Sequence, residues 1–299
     1  IDSMEKQRNK RGSLPIGVRI IGIIIAVLAA AYGLYAGMGN STGNFDGEMQ
    51  IFALDVGQGD SFFIISPNGK TMLIDSGESS NSKQIEQFIR EKGVRQLDVV
   101  VGSHTHSDHV GSMPYLLDAF DVGKYVMSET RIQKRINAVL EEKDIPCSYV
   151  WAGDVIDWDS DCKVTVLSPV PEFDEYSKTD WNEWSLIIRA EYANHSMIFT
   201  GDATVRSEQA AMLNNEKYLF DADVLKVPHH GSTTSSSLGF LEAVSPEYAI
   251  ISVGKGNSYG HPDYDTIQKL KQVNAEIYRT DELGTINIVF SADDIKITY

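Results

Sequence analysis

The run Ser103-His104-Thr105-His106-Ser107-Asp108-His109 packs three imidazoles and a carboxylate into six positions. It directly follows the apolar stretch 97–101, which reads as a buried strand delivering these side chains to its C-terminal end. Neutral imidazole and carboxylate are the donors that bind zinc and similar divalent ions. Of the seven histidines, six lie in this run, in the pair His229-His230 or at His261, which leaves only His195 apart. A polar loop that happens to be rich in histidine does not explain such clustering. Each cluster, and Asp202 after Met197-Ile198-Phe199-Thr200-Gly201, sits where a predicted strand stops, so the fold has to bring several strand ends to one edge.

With 299 residues and 42% apolar content, the chain can form one large layered domain or two modest ones. Strand patterns at 49–54, 61–66 and 71–74 open the domain, with Pro67-Asn68-Gly69 as a hairpin turn. Ser82 starts a helix carrying Ile85, Phe88 and Ile89 on one face and ending at Gly93. Helices at 114–120 and 130–143 and a strand at 124–127 follow. The second part has strands at 164–167, 185–191, 196–200 and 224–227 and a helix at 204–214. Helices at 238–244 and 264–273, with strands at 248–253, 276–278, 285–290 and 294–299, complete it. Two similar halves of strands plus helices predict an α/β (α+β) domain with two sheets face to face and helices outside. Cys147 and Cys162 flank an expected hairpin, and their spacing leaves open a disulfide or two buried thiols.

Residues 20–38 carry no charge and are long enough to cross a hydrocarbon core of about 30 Å as a helix. Lys6, Arg8, Lys10, Arg11 and Arg19 precede that stretch against Asp2 and Glu5, so residues 1–19 are expected in the cytoplasm and the remainder outside a single-pass anchor. A cleaved signal peptide is the rival; its apolar region would run only about 7–15 residues. Residues 39–48 read as a flexible tether and 49–299 as the domain. Beyond residue 39 the chain has 21 basic against 40 acidic groups, a net charge of −19. Such acidity disfavours loose contact with polyanions.

His-x-His-x-Asp-His at 104–109, together with Phe199-Thr200-Gly201-Asp202, resembles the metallo-β-lactamase superfamily. The resemblance covers about 49–299 and implies an αββα sandwich of two facing mixed sheets with one or two metals at their shared edge. Narrower matches at Leu54-Asp55-Val56-Gly57-Gln58-Gly59-Asp60-Ser61, Leu73-Ile74-Asp75-Ser76-Gly77, Leu225-Lys226-Val227-Pro228-His229-His230-Gly231-Ser232 and Tyr259-Gly260-His261-Pro262 look like the hydrolase domain of ComEC-type competence proteins. ComEC proteins also carry a polytopic DNA channel, which one expected span cannot form. Carried over position by position, His104 and His106 resemble ligands of a first metal. Asp108, His109 and one of His229 or His230, with His230 favoured, resemble those of a second, and Asp202 would bridge both. Most of the superfamily supplies a third histidine to the first metal; here Asn182 stands in that region, as in ComEC-type domains. An amide oxygen is a weaker and harder donor, which tilts the first site toward manganese and leaves zinc open. His195 is rejected as a ligand: on the same predicted strand as Asp202, it lies about 20 Å away at ~3.3 Å per residue.

Two such ions would activate a water for attack on phosphorus or a carbonyl. Asp108 could steer that water and His229 could protonate the leaving oxygen. Lys226 could clamp a phosphate, against its even rival of an ordinary solvated lysine. His261, in a Gly-rich loop, is assigned a catalytic or substrate role over a plain turn role. Asp75 and Asp60 are read as carboxylates that orient metal-bound histidines, against local turn chemistry. Trp181 and Trp184 flank Asn182 and could line a cleft. The expected function is a metal-dependent phosphodiesterase or nuclease, with the membrane and a phosphodiester such as DNA as partners. Hydrolysis of small phosphodiesters or of carboxylic or lactone esters, and a non-catalytic surface DNA-binding module, are the alternatives.

Overall fold

Residues 47–128, 132–171 and 180–299 are described in a computed structural model. The expected cytoplasmic segment 1–19, the span 20–38 and the tether up to residue 46 lie outside the described residues. Among those described, no helix is long and apolar enough to cross a membrane.

Short apolar runs broken by turns form β1 (Met49–Ala53), β2 (Phe62–Ile65), β3 (Thr71–Ile74), β4 (Gln96–Gly102), β5 (Asp121–Met127) and β6 (Cys147–Tyr149). After a crossover come β7 (Cys162–Ser168), β8 (Ile187–Tyr192), β9 (His195–Phe199), β10 (Val224–Lys226), β11 (Tyr248–Ile251) and β12 (Glu276–Arg279), then β13 (Ile286–Phe290) and β14 (Ile295–Thr298). The helices are α1 (Ser82–Glu91), α2 (Ser107–Val110), α3 (Met113–Ala119), α4 (Lys134–Glu142), α5 (Val205–Asn214), α6 (Leu238–Val244), α7 (Tyr264–Gln272) and α8 (Thr280–Leu283).

One sheet runs β14-β13-β1-β2-β3-β4-β5-β6 and the other β12-β11-β10-β9-β8-β7. Both are mixed: β3 to β6 and β9 to β12 are parallel, and the remaining neighbours antiparallel. The two halves are therefore less equal than the sequence pattern predicts, because β13 and β14 return to pair with β1 of the first sheet. A buried layer between the sheets includes Phe62 and Phe199, whose rings meet edge-on at 5.3 Å. Ile85, Ile89, Leu116 and Ile136 from α1, α3 and α4 seal the outer face of the first sheet; Ala211, Phe240 and Leu270 from α5, α6 and α7 seal the second. Each large aliphatic side chain removed from water in this αββα arrangement contributes about 1.5–3 kcal/mol.

The expected hairpin between the cysteines is overturned. Cys147 lies on the edge strand of the first sheet and Cys162 opens the second, so the chain between them changes sheets; both thiols are free. The parallel segments matter most for chemistry, because loops leaving the C-terminal ends of parallel strands are where such sheets bind ligands.

Candidate metal centre

Three loops from those strand ends converge. After β4, His106 sits in extended backbone as the residue before α2, and the single turn of α2 carries Asp108 and His109 inward. Asp202 follows β9, and His229-His230 follow β10. Ligand atoms of Asp108, His109, Asp202 and His230 all lie within 4.8 Å of one another, and those of His104, His106 and Asp202 form a second such group. Asp202 belongs to both groups: Oδ1 is 3.0 Å from His109 Nε2, and Oδ2 is 3.9 Å from His104 Nε2.

The buried imidazoles are held from behind by Nδ1. His109 Nδ1 donates to Asp75 Oδ2 at 2.8 Å, His230 Nδ1 donates to the Ser252 carbonyl at 2.8 Å, and His104 Nδ1 lies 3.1 Å from Ser103 Oγ. Ser103 itself donates to Asp75 from both its backbone N–H and its hydroxyl. With Nδ1 occupied, each ring presents Nε2 to the centre, as metal-ligating histidines do. Nε2 of His104, His109 and His230, Oδ1 of Asp202 and Oδ1 of Asn182 are all buried without a hydrogen-bond partner. Leaving such atoms unmatched costs about 1–3 kcal/mol each, so the donor set fits divalent ions.

Charge supports the same fit. Asp60, Asp75, Asp108 and Asp202 are gathered around the cluster, and Lys226 is the cationic side chain beneath it. Burial disfavours charge on His109 and His230, yet the surrounding carboxylates, Asp202 first, push both up, His230 to about 9. Burial and the neighbouring His109 hold His104 well below its ordinary value, leaving it the neutral donor a metal requires. Although burial opposes it, His230 at 3.4 Å and the charge of His109 bring Asp108 down to about 2.

Lys226 departs from expectation. It is 1% exposed, with Nζ 2.5 Å from Asp60 Oδ2 and 2.7 Å from the Gly201 carbonyl, so it is closed to substrate and braces the floor of the site. Asp60 in turn lies 3.4 Å from His230 Nδ1 and 3.7 Å from His109 Nδ1. Gly201 permits the approach of the β9 end: its φ is +49°, and a Cβ there would sit 2.7 Å from Ser103 Oγ. His229 and His230 both adopt positive φ, at 51° and 53°, a turn that aims one ring inward and leaves the other half-buried. His229 Nε2 stands 3.5 Å from Asp202 Oδ2, and its ring centroid is 6.0 Å from that of His261. His195 opens β9 at the far end from Asp202, its ring against Phe290.

Two positioning residues have no motif to betray them in the sequence. Ser103 ties Asp75 to His104. Asn257 accepts from the His261 backbone N–H and donates to its carbonyl, fixing that loop.

A family model described as the metallo-beta-lactamase superfamily matches residues 54–145. The chain is 35% identical over 261 residues to ComE operon protein 3 of Bacillus subtilis, an alignment covering 80% of this chain and 33% of that protein. It is 29% identical to Recombination protein 2 of Haemophilus influenzae (83% and 30% covered) and 28% identical to Competence protein ComA of Neisseria gonorrhoeae (84% and 34%). The chain thus spans about a third of the length of these curated relatives. Among solved structures, the fold is similar to that of Igni18, a metallo hydrolase from the archaeon Ignicoccus hospitalis, with a TM-score of 0.56 and 15% identity over 82% of this chain and all of that one. The described domain belongs to the metallo-β-lactamase superfamily and is of the ComEC type.

Proposed function

We propose that this domain is a metal-dependent phosphodiesterase that cleaves DNA outside the cytoplasmic membrane, anchored there by residues 20–38. The observation that carries the hydrolase reading is the set of buried, unpartnered donor atoms around Asp202. His104, His106, Asn182 and Asp202 would hold one ion, manganese or zinc, and Asp108, His109, His230 and Asp202 the other. Bound there, the ions would supply the Lewis acidity that activates water and offsets charge developing on phosphate oxygens. DNA is favoured as the phosphodiester because two of the curated relatives are named for recombination and for competence.

The chain's own groups divide the remaining work. Asp108 keeps its carboxylate ionised and partly open to solvent, able to accept a hydrogen bond from the attacking water. Burial lowers the proton affinity of His229, so at neutral pH it enters as a neutral imidazole whose basicity an incoming phosphate would raise toward that of a proton donor. Asp75, Asp60, Ser103 and Lys226 keep the histidines oriented and the floor dry.

The net charge of −19 beyond residue 39 favours the second reading, a small diester substrate. Metal-stripped chain reloaded with manganese or zinc, given single-stranded DNA, duplex DNA and bis(p-nitrophenyl) phosphate at fixed salt, decides between them. DNA cleavage that needs the metal and vanishes in Asp202→Asn is expected. Intact DNA beside hydrolysed small diester would leave the small-substrate reading standing.

A further inference from the structure

Beside the metal centre lies a cleft of about 390 Å³ lined by Thr105, His106, Ile132, Gln133, Lys134 and Trp181. His106 belongs to both the cleft and the His104-His106-Asp202 group, so whatever fills the cleft abuts the reacting position. Its wall is tied to the ligand loop, since Gln133 Nε2 donates to the Thr105 carbonyl at 2.7 Å. Trp181 and Ile132 offer apolar surface, and exposed Lys134 offers a cation with no ion pair among the described residues.

A second ring stands along another chain of contacts from Asp202. His229 approaches Asp202, His261 approaches His229, and Tyr259 stacks on His261 with ring centroids 5.8 Å apart and an interplanar angle of 10°. Tyr259 is 70% exposed, so one face rests on His261 and the other is open. Asn257 pins this loop from within, accepting from the backbone N–H of both Tyr259 and His261, and the ring is therefore presented rather than free-swinging. Trp181 thus reaches the Asp202 group through His106, with which it lines the cleft, and Tyr259 reaches it through His261 and His229.

We propose that the substrate lies across the centre as a single strand, one base stacking on Trp181 beside Lys134 and another on the open face of Tyr259. This rests on the phosphodiesterase reading and narrows it to unpaired nucleic acid, because bases inside a duplex cannot offer their faces to side chains. Stacking also answers the acidity of the domain. A base–aromatic contact requires no phosphate neutralisation and contributes without a basic groove. Salt dependence should accordingly be shallow, since each neutralised phosphate on a single strand adds about 0.7 to the logarithmic slope.

Two measurements on the full chain test this. In EDTA, where cleavage is silent, oligothymidylate is added while tryptophan emission is followed from low to moderate salt. Binding, read as tryptophan quenching in the wild type and as anisotropy of a labelled oligomer in every variant, is expected to be lost in Trp181→Ala, kept in Trp181→Phe and weakened by less than an order of magnitude between about 50 and 200 mM salt, a modest loss being what few phosphate contacts imply. With manganese restored, the ratio of kcat/KM on the oligomer to that on bis(p-nitrophenyl) phosphate should fall about tenfold in Trp181→Ala and in Tyr259→Ala. Tyr259 is exposed enough that its truncation leaves folding intact, which covers the case of a misfolded Trp181 variant. Hydrolysis of the small diester without binding of oligothymidylate, or an unchanged ratio in both variants, would overturn this inference alone. Failure of metal-loaded wild-type chain to hydrolyse either substrate would overturn the phosphodiesterase reading and this one with it.

Discussion

His109 donates from Nδ1 to Oδ2 of Asp75 at 2.8 Å, and its Nε2 then stands 3.0 Å from Oδ1 of Asp202. The first contact fixes the tautomer on which the second depends. Asp75 occupies positive φ at 59°, a conformation that asparagine tolerates, so Asp75→Asn keeps the backbone, while its NH2 must face one of the donors that Oδ1 and Oδ2 accept from. The variant should weaken metal affinity by about 10- to 100-fold, because an amide holds the Nδ1 proton less strongly than a carboxylate. Competition with a fluorescent chelator measures this, and wild-type affinity in the variant would exclude the orienting role.

Lys226 and Asp60 form an ion pair whose side chains are 1% and 2% exposed. Lys226→Met strands the Asp60 carboxylate in the interior and should cost about 3–5 kcal/mol in urea unfolding of the metal-free chain. Adding Asp60→Asn to that variant should recover most of the loss, a coupling that a double-mutant cycle reads directly. A lysine serving only to clamp phosphate would instead raise KM and leave stability alone.

Proton linkage follows from His230. In the metal-free chain Asp202 and Asp60, working against burial, raise its folded value to about 9 from an ordinary 6.5. A raised folded value means that the stabilisation is complete below pH 6.5 and disappears as pH climbs through about 9. The loss across that window is on the order of 3 kcal/mol, and denaturation of EDTA-treated chain at several pH values should show it. The same proton must leave before Nε2 can bind a metal, so calorimetry at pH 7 in buffers of different ionisation enthalpy should register proton release on loading. A stability profile flat from pH 6.5 to 9 would contradict the carboxylate-held imidazolium.

Local patterns were readable where one face of an element decides its state. The helix expected at 238–244 matches α6, and the Thr71–Ile74 strand was legible because it lies between a turn and a polar segment. The ligand clusters were legible because metal chemistry demands rare residue types close together. What escaped depends on pairing across long separations. β13 looks like any amphipathic strand, and only its register with β1, Met49 opposite Phe290, assigns it to the first sheet. Lys226 reads as a solvated strand end until Asp60, 166 positions earlier, is seen to cap it. Ser103 and Asn257 act through small sets of hydrogen bonds that no spacing rule announces.

Asn182 is the sharpest test of asymmetry in the centre. Its Oδ1 is buried without a partner on the 3-10 turn Trp181–Trp184, and that turn leads into Ser185, whose hydroxyl receives the Asp202 backbone N–H at 3.1 Å. The turn that carries Asn182 thus lies one short segment from Asp202, the carboxylate that groups with His104 and His106. Asn182→Ala should reduce manganese from two equivalents per chain to one, with the Asp108-His109-His230 side retained. Asn182→His should shift preference at the depleted site toward zinc, since imidazole suits zinc better than an amide oxygen does. Metal analysis after dialysis, with manganese resonance spectra to separate paired from isolated ions, checks both variants. Two equivalents bound with unchanged affinity in Asn182→Ala would remove Asn182 from the ligand set.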